Sequence, residues 1–121
     1  MKDITDSLPQ IIRDHVAAYN RHDLPALMAV FAPDALVNDI QREFVGIEAI
    51  RDWADKEIIG PNVTMAVAQA FDLYGDVVVR ARMDGDYDKT GLPDPLILTY
   101  YFSLRNDLIT QLIILLNKNN G

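Results

Sequence analysis

The hydrophobic period of this chain changes once, near its middle, and that change constrains the fold more than any single motif. Before Pro61 apolar side chains recur at helical spacing. Leu8, Ile12, His15 and Tyr19 follow steps of four, three and four, with Ile11 and Val16 beside them, so they share one helix face. From Val63 onward the period is two: Val63, Met65, Val67, Gln69, Phe71 and Leu73 alternate with smaller or polar residues, as a half-buried strand does. Helices first and strands after specify an α+β domain, with helices on one face of a mostly antiparallel sheet.

Punctuation residues divide the two halves further. Asn20 to His22 reads as a turn. Asp23 can cap a second helix, and Pro25 falls in its first turn, where an N–H is dispensable. Leu24, Leu27, Met28 and Phe31 form the stripe of that helix, which Ala32-Pro33-Asp34 ends. Ala35 to Asp39 reads as a short strand with Glu43 to Val45 as its partner. Gly46 opens a third helix, marked by Ile47, Ile50, Trp53, Ala54 and Ile58 and stopped by Gly60-Pro61. In the second half, Tyr74-Gly75-Asp76 is a hairpin turn into a strand from Val77 to Asp84. A polar loop, Asp86 to Pro95, leads to a strand from Leu96 to Leu104. Arg105-Asn106-Asp107 turns into a last strand, Leu108 to Leu116, and Lys118 to Gly121 is a polar tail. The last strand is apolar on both faces. Helices cover one face, and a second subunit packing sheet to sheet would cover the other, which predicts a homodimer. The alternative is a strand central to a curved sheet whose other face stays wet.

Composition narrows the function classes. The 121 residues predict one domain, 1–121, with a net charge of −7. An acidic chain lacks the basic footprint that nucleic acid or an anionic membrane surface requires. There are no cysteines, which excludes disulfides and thiolate chemistry. The start of the chain has no apolar signal core, and no stretch approaches the ~18 apolar residues of a membrane span. A cytoplasmic protein is the expectation. His15 and His22 are the only histidines, so a histidine-rich metal site is not expected. No glycine-rich phosphate loop or nucleophile elbow is present, so no cofactor is expected either.

Three segments carry a resemblance: Val16-Ala17-Ala18-Tyr19-Asn20 with Asp23-Leu24; Phe31-Ala32-Pro33-Asp34-Ala35 with Val37-Asn38-Asp39; and Gly46-Ile47-Glu48-Ala49-Ile50-Arg51. With them the chain resembles the nuclear transport factor 2-like superfamily, in its SnoaL-like and ketosteroid-isomerase-like branch, from about Ile11 to Asn117. The resemblance implies a cone-shaped fold in which a curved sheet wraps three N-terminal helices around a pocket, commonly as a dimer. The fold hosts isomerases, epoxide hydrolases, dehydratases, cyclases and binding modules, so it does not name a reaction.

The resemblance also implies site residues. Asp39 matches the position of the general-base aspartate of the steroid isomerases, where a carboxylate can move a proton between carbons beside a carbonyl. The positions of their two oxyanion donors fall on His15 and near Tyr100, both able to donate hydrogen bonds. Tyr19, Trp53, Met65 and Phe102 are large side chains suited to lining an apolar pocket. Arg82 and Asp84 resemble the arginine and aspartate of the limonene-epoxide-hydrolase branch, but the last strand lacks the second acid. The expected function is proton transfer on a small, apolar, cyclic molecule, as in an isomerase, cyclase or dehydratase, with Asp39 as acid or base. The alternative is a non-catalytic ligand-binding or dimerisation module of the same fold.

Overall fold

The computed structural model describes residues 1–116; the polar tail from Lys118 lies outside the described residues. In chain order the elements are β1 (Lys2–Asp3), α1 (Gln10–Arg21), α2 (Leu24–Met28), β2 (Phe31–Asp39), β3 (Arg42–Val45), α3 (Ile47–Ala54), β4 (Thr64–Leu73), β5 (Asp76–Asp84), β6 (Leu96–Arg105) and β7 (Leu108–Leu116). The strands form one curved, unclosed sheet in the order β1-β4-β5-β6-β7-β2-β3. Every ladder is antiparallel except β2 against β7. That parallel pair follows from topology: the helices precede the long strands, and the chain returns to β2 only with its last strand.

The α+β expectation holds, with four local corrections. Asn20 to His22 is not a free turn: α1 runs to Arg21, and His22 closes it in the left-handed conformation with φ 56°. The second helix stops at Met28, and Phe31 opens β2 rather than closing a helical stripe. The Asp23 carboxylate accepts from the Ala26 N–H at 3.1 Å, as a cap should, but the following strand wins Phe31 by pairing it with Ile109. The third helix is α-helical only to Ala54 and continues as a π-helical turn, Asp55–Ile59. Finally, Lys2–Asp3 forms a strand on the outer edge of β4, a pairing too short to leave a period in the sequence.

The core lies between the helices and the concave sheet face. Ile12, Leu27 and Ile50 come from the helices, and Val79, Phe102 and Leu112 from the sheet; all are fully buried. Burying each such side chain is worth roughly 1.5–3 kcal/mol, which decides the face each element turns inward. The other sheet face is partly apolar. Tyr101 is 38 % and Leu115 43 % exposed, and Tyr101 pairs across the ladder with Ile113.

Candidate active site

The site begins with a two-residue turn. Ile40 and Gln41 both have positive φ, 50° and 69°, the geometry of a tight hairpin. It places Arg42 of β3 directly opposite Asp39 at the end of β2. The Arg42 guanidinium donates to Asp39 Oδ2 at 2.6 Å, and to both oxygens of Glu57 in the π-helical turn at 2.6 and 2.9 Å. It also lies 5.6 Å over the Phe44 ring, within cation–π range. Hydrogen bonding to Glu57, with the charges of Asp39 and Glu57, holds Arg42 above its ordinary pKa against the opposing effect of burial.

Trp53, on the buried face of α3, donates its indole N–H to the same Asp39 Oδ2 at 3.0 Å. The Asp39 side chain is only 15 % exposed. Phe44 packs beside Trp53 with ring centroids 5.8 Å apart. The acid is therefore fixed from two sides, by a cation on β3 and a neutral donor on α3.

Behind Asp39 stands a pair of phenols. Tyr19 of α1 and Tyr100 of β6 are buried, and a hydrogen bond links their hydroxyls. The Tyr100 hydroxyl also lies 3.9 Å from Met83 Sδ. Burial pushes both phenols well above their ordinary pKa, and the Asp39 charge pushes in the same direction. Both remain protonated donors at neutral pH.

Asp39, Tyr19, Trp53 and Tyr100 line one cavity of about 450 Å³. Its remaining wall is largely aliphatic, with Ile58, Leu98 and Ile114 among its residues. So the structure brings four of the seven sequence-derived candidates together. The other three stand elsewhere. His15 lies one helical turn before Tyr19, fully buried behind the phenols and not on the cavity wall. Its ring sits 5.0 Å from Phe102 and 6.4 Å from Tyr100 by centroids. Among the described residues its buried Nδ1 has no hydrogen-bond partner, and burial lowers its pKa to about 4, so the imidazole is neutral. Phe102 is likewise a core residue with no exposed surface. Met65 lines a second, adjoining cavity of about 520 Å³ under the 86–95 loop. On the helix, then, the donor facing the cavity is Tyr19 rather than His15.

Sequence reading missed Arg42, Glu57 and Tyr87, all on the cavity wall. Arg42 had a signal, since a two-residue turn after Asp39 pairs it with that acid. Glu57 and Tyr87 had none, because a π-helical turn and a long loop place them.

Known proteins place this geometry. The SnoaL-like domain matches residues 12–112. No curated protein matches the chain by sequence. Among solved structures, a candidate polyketide cyclase from Sinorhizobium meliloti is 27% identical, covers 92% of this chain and 98% of its own, and superposes with a TM-score of 0.81. The Δ5-3-ketosteroid isomerase of a Mycobacterium species is 14% identical over 89% of this chain and 91% of its own, with a TM-score of 0.72. A computationally designed 17-OHP binder is 15% identical over 91% of each chain, with a TM-score of 0.74. The last two likenesses show the fold alone, a ketosteroid-isomerase-like, nuclear transport factor 2-like fold. The family match spans most of the chain, which therefore belongs to the SnoaL-like domain family.

Proposed function

We propose that the chain is an enzyme of proton transfer on a small, apolar, cyclic ketone, with Asp39 as the acid–base group. The observation that carries this reading is the meeting of the fixed Asp39 carboxylate and a linked pair of protonated phenols on a single, mostly aliphatic cavity. Asp39 takes a proton from the carbon beside the carbonyl. The C–H electron pair moves into the ring system, and the carbonyl oxygen becomes an enolate oxygen. Tyr100, backed by Tyr19, donates to that oxygen as its charge develops. In a β,γ-unsaturated ketone the enolate extends through the neighbouring double bond as a dienolate, and Asp39 returns the proton to its γ-carbon, which is isomerisation. The same enolate begins a cyclisation or a dehydration. Trp53 and Arg42 fix the carboxylate on Oδ2, so Oδ1 is the oxygen assigned to meet the C–H bond. In this reading His15 and Phe102 support the phenols from behind and do not touch substrate.

The test is exchange of α-protons of cyclic ketones into D2O, followed by NMR. The native protein should accelerate exchange, and Asp39→Asn should lower the rate by about 10²–10⁴, the usual worth of a positioned general base. Tyr100→Phe should cost about 10²-fold, as loss of one oxyanion donor does. Asp39→Asn with undiminished exchange would overturn the mechanism.

One observation favours the second reading, a non-catalytic ligand-binding module. Asp39 Oδ2 already carries two donors, an arrangement that also suits a purely structural acid. Ring ketones that bind without exchange above background would select that reading. For assembly, we propose a homodimer through the outer sheet face around Tyr101, Ile113 and Leu115. For location, we propose the cytoplasm; among the described residues no helix is long and apolar enough to cross a membrane.

A further inference from the structure

Two cavities adjoin in this molecule, and they share a wall. Met83, Tyr87, Leu92 and Leu96 line both the inner cavity that holds Asp39 and the outer one at the end of the β4–β5 pair. Met83 and Leu96 sit opposite each other in the β5–β6 ladder and are fixed by it. Tyr87 and Leu92 belong to the 86–95 loop and have no ladder to hold them.

Tyr87 faces both ways. On one side it lines the inner cavity together with Tyr19 and Tyr100. On the other side Lys89 stands 5.5 Å from its ring centroid and pairs with Asp84 at 2.8 Å. The two cavities also differ in character. The inner wall is mostly aliphatic and aromatic, whereas Thr64, Arg82, Asp84, Lys89 and Asp94 all reach the outer one. Of the two cations there, Lys89 is engaged by Asp84, and Arg82 offers the planar fork of donors that suits a carboxylate or carbonyl.

We propose that the two cavities are two compartments of one ligand site, divided by Tyr87 and Leu92. The outer compartment takes the acceptor-bearing tail of a molecule whose apolar ring body occupies the inner one. Tyr87 is then a specificity-determining residue: it admits ring ligands alone when it stands across the opening and tailed ligands when it swings aside. Arg82 is the residue that meets the tail. This inference rests on the inner cavity being a ring-binding pocket, as in the reading above.

Binding is read from the fluorescence of Trp53, the sole tryptophan and a residue of the inner wall. Three probes are titrated: testosterone, its 17-valerate and its 17-hemisuccinate. These offer a ring body alone, a ring with an apolar tail, and a ring with a carboxylate tail. The native protein should prefer the hemisuccinate to the valerate. Arg82→Gln should erase that preference, a change of about tenfold for loss of a charge-assisted pair. Tyr87→Ala should raise the affinity ratio of tailed to untailed probes about tenfold, on the scale of pocket discrimination, and Tyr87→Phe should leave the ratio as it was. Testosterone binding with tail preferences indifferent to both positions would overturn the two-compartment site and leave the inner pocket standing. No response to any probe, in fluorescence or in melting temperature, would overturn both readings. Arg82 is an exposed residue, so its variant keeps the test decisive even if Tyr87→Ala does not fold.

Discussion

At the scale of single residues, the histidine behind the phenols shows what a helical period can and cannot reveal. Periodicity put His15 on the buried face of the first helix, where the structure has it. Its spacing could not say which buried side chain would front the cavity, because neighbours three and four apart share a face. Tyr19 holds that place, and His15 is left in an aromatic cage with an orphaned Nδ1. The cost appears with acid. The folded pKa of His15 is about 4 against 6.5 for the free group. Between those values the unfolded chain binds a proton that the native state refuses, so stability falls as pH falls through this window. It is complete above pH 6.5, lost progressively towards pH 4, and changes no further below that on account of this group. The gap at 1.36 kcal/mol per unit amounts to about 3 kcal/mol. Urea unfolding of the native chain and of His15→Phe, at pH 7 and pH 4.5, isolates the contribution from that of the carboxylates. The native chain should lose about 2–3 kcal/mol more than the variant on acidification. Equal losses would mean that the native state admits the proton after all.

At the scale of elements, the long strands were legible because each needs one wet and one dry face. The last strand was read as Leu108 to Leu116, the observed span. Hairpin turns were legible too: Tyr74-Gly75 and Asn106-Asp107 both have the positive φ that tight turns require. What the sequence hid is how the elements lock together. Asn20 reads as a turn residue, yet in the structure its side chain imitates a strand. Its amide donates to the Met65 carbonyl at 2.9 Å and accepts from the Met65 N–H at 2.8 Å. This closes the part of the β4 edge that β1 does not reach, since β1 pairs only with Phe71 and Asp72. His22 adds a contact from Nε2 to the Val63 carbonyl at 2.7 Å. The Met65 backbone thus takes both its outward partners from one side chain, and no local pattern announces a pairing across 45 residues. Asn20→Ala should cost about 1–3 kcal/mol, the penalty for partly buried polar groups left unmade. Hydrogen exchange at the Met65 amide should quicken beyond what the change in global stability explains. If exchange at Met65 tracks global stability alone, the clamp contributes nothing local. The same edge positions Tyr19 one residue earlier, so a loosened clamp should also blur the phenol pair.

At the scale of the whole molecule, the apolar pattern of β7 poses a question that one chain does not answer. Ile109, Leu112 and Ile114 are buried. On the reverse face Ile113 is half-buried, and Leu115 is 43 % exposed. Tyr101 lies beside Ile113 in the ladder and opposite Val78 on the other flank. Val78 is only 5 % exposed although it sits on this outer face. Its neighbours on the sheet therefore cover it, and the apolar surface is continuous across β5, β6 and β7. A polar outer face would have alternated strictly, and this one does not. Sheet-to-sheet packing of two copies would bury that surface about a two-fold axis, with each copy presenting the same patch to the other. It would also stiffen β6, the strand that carries Tyr100 on its inner face. Sedimentation velocity should find a dimer. Leu115→Glu together with Tyr101→Glu places like charges on both facing patches and breaks each apolar surface, so the variant should run as a monomer with the inner core intact. Its melting temperature should then lose the dependence on protein concentration that a dimer imposes by mass action. A native chain that sediments as a monomer at every concentration would show that the patch stays wet.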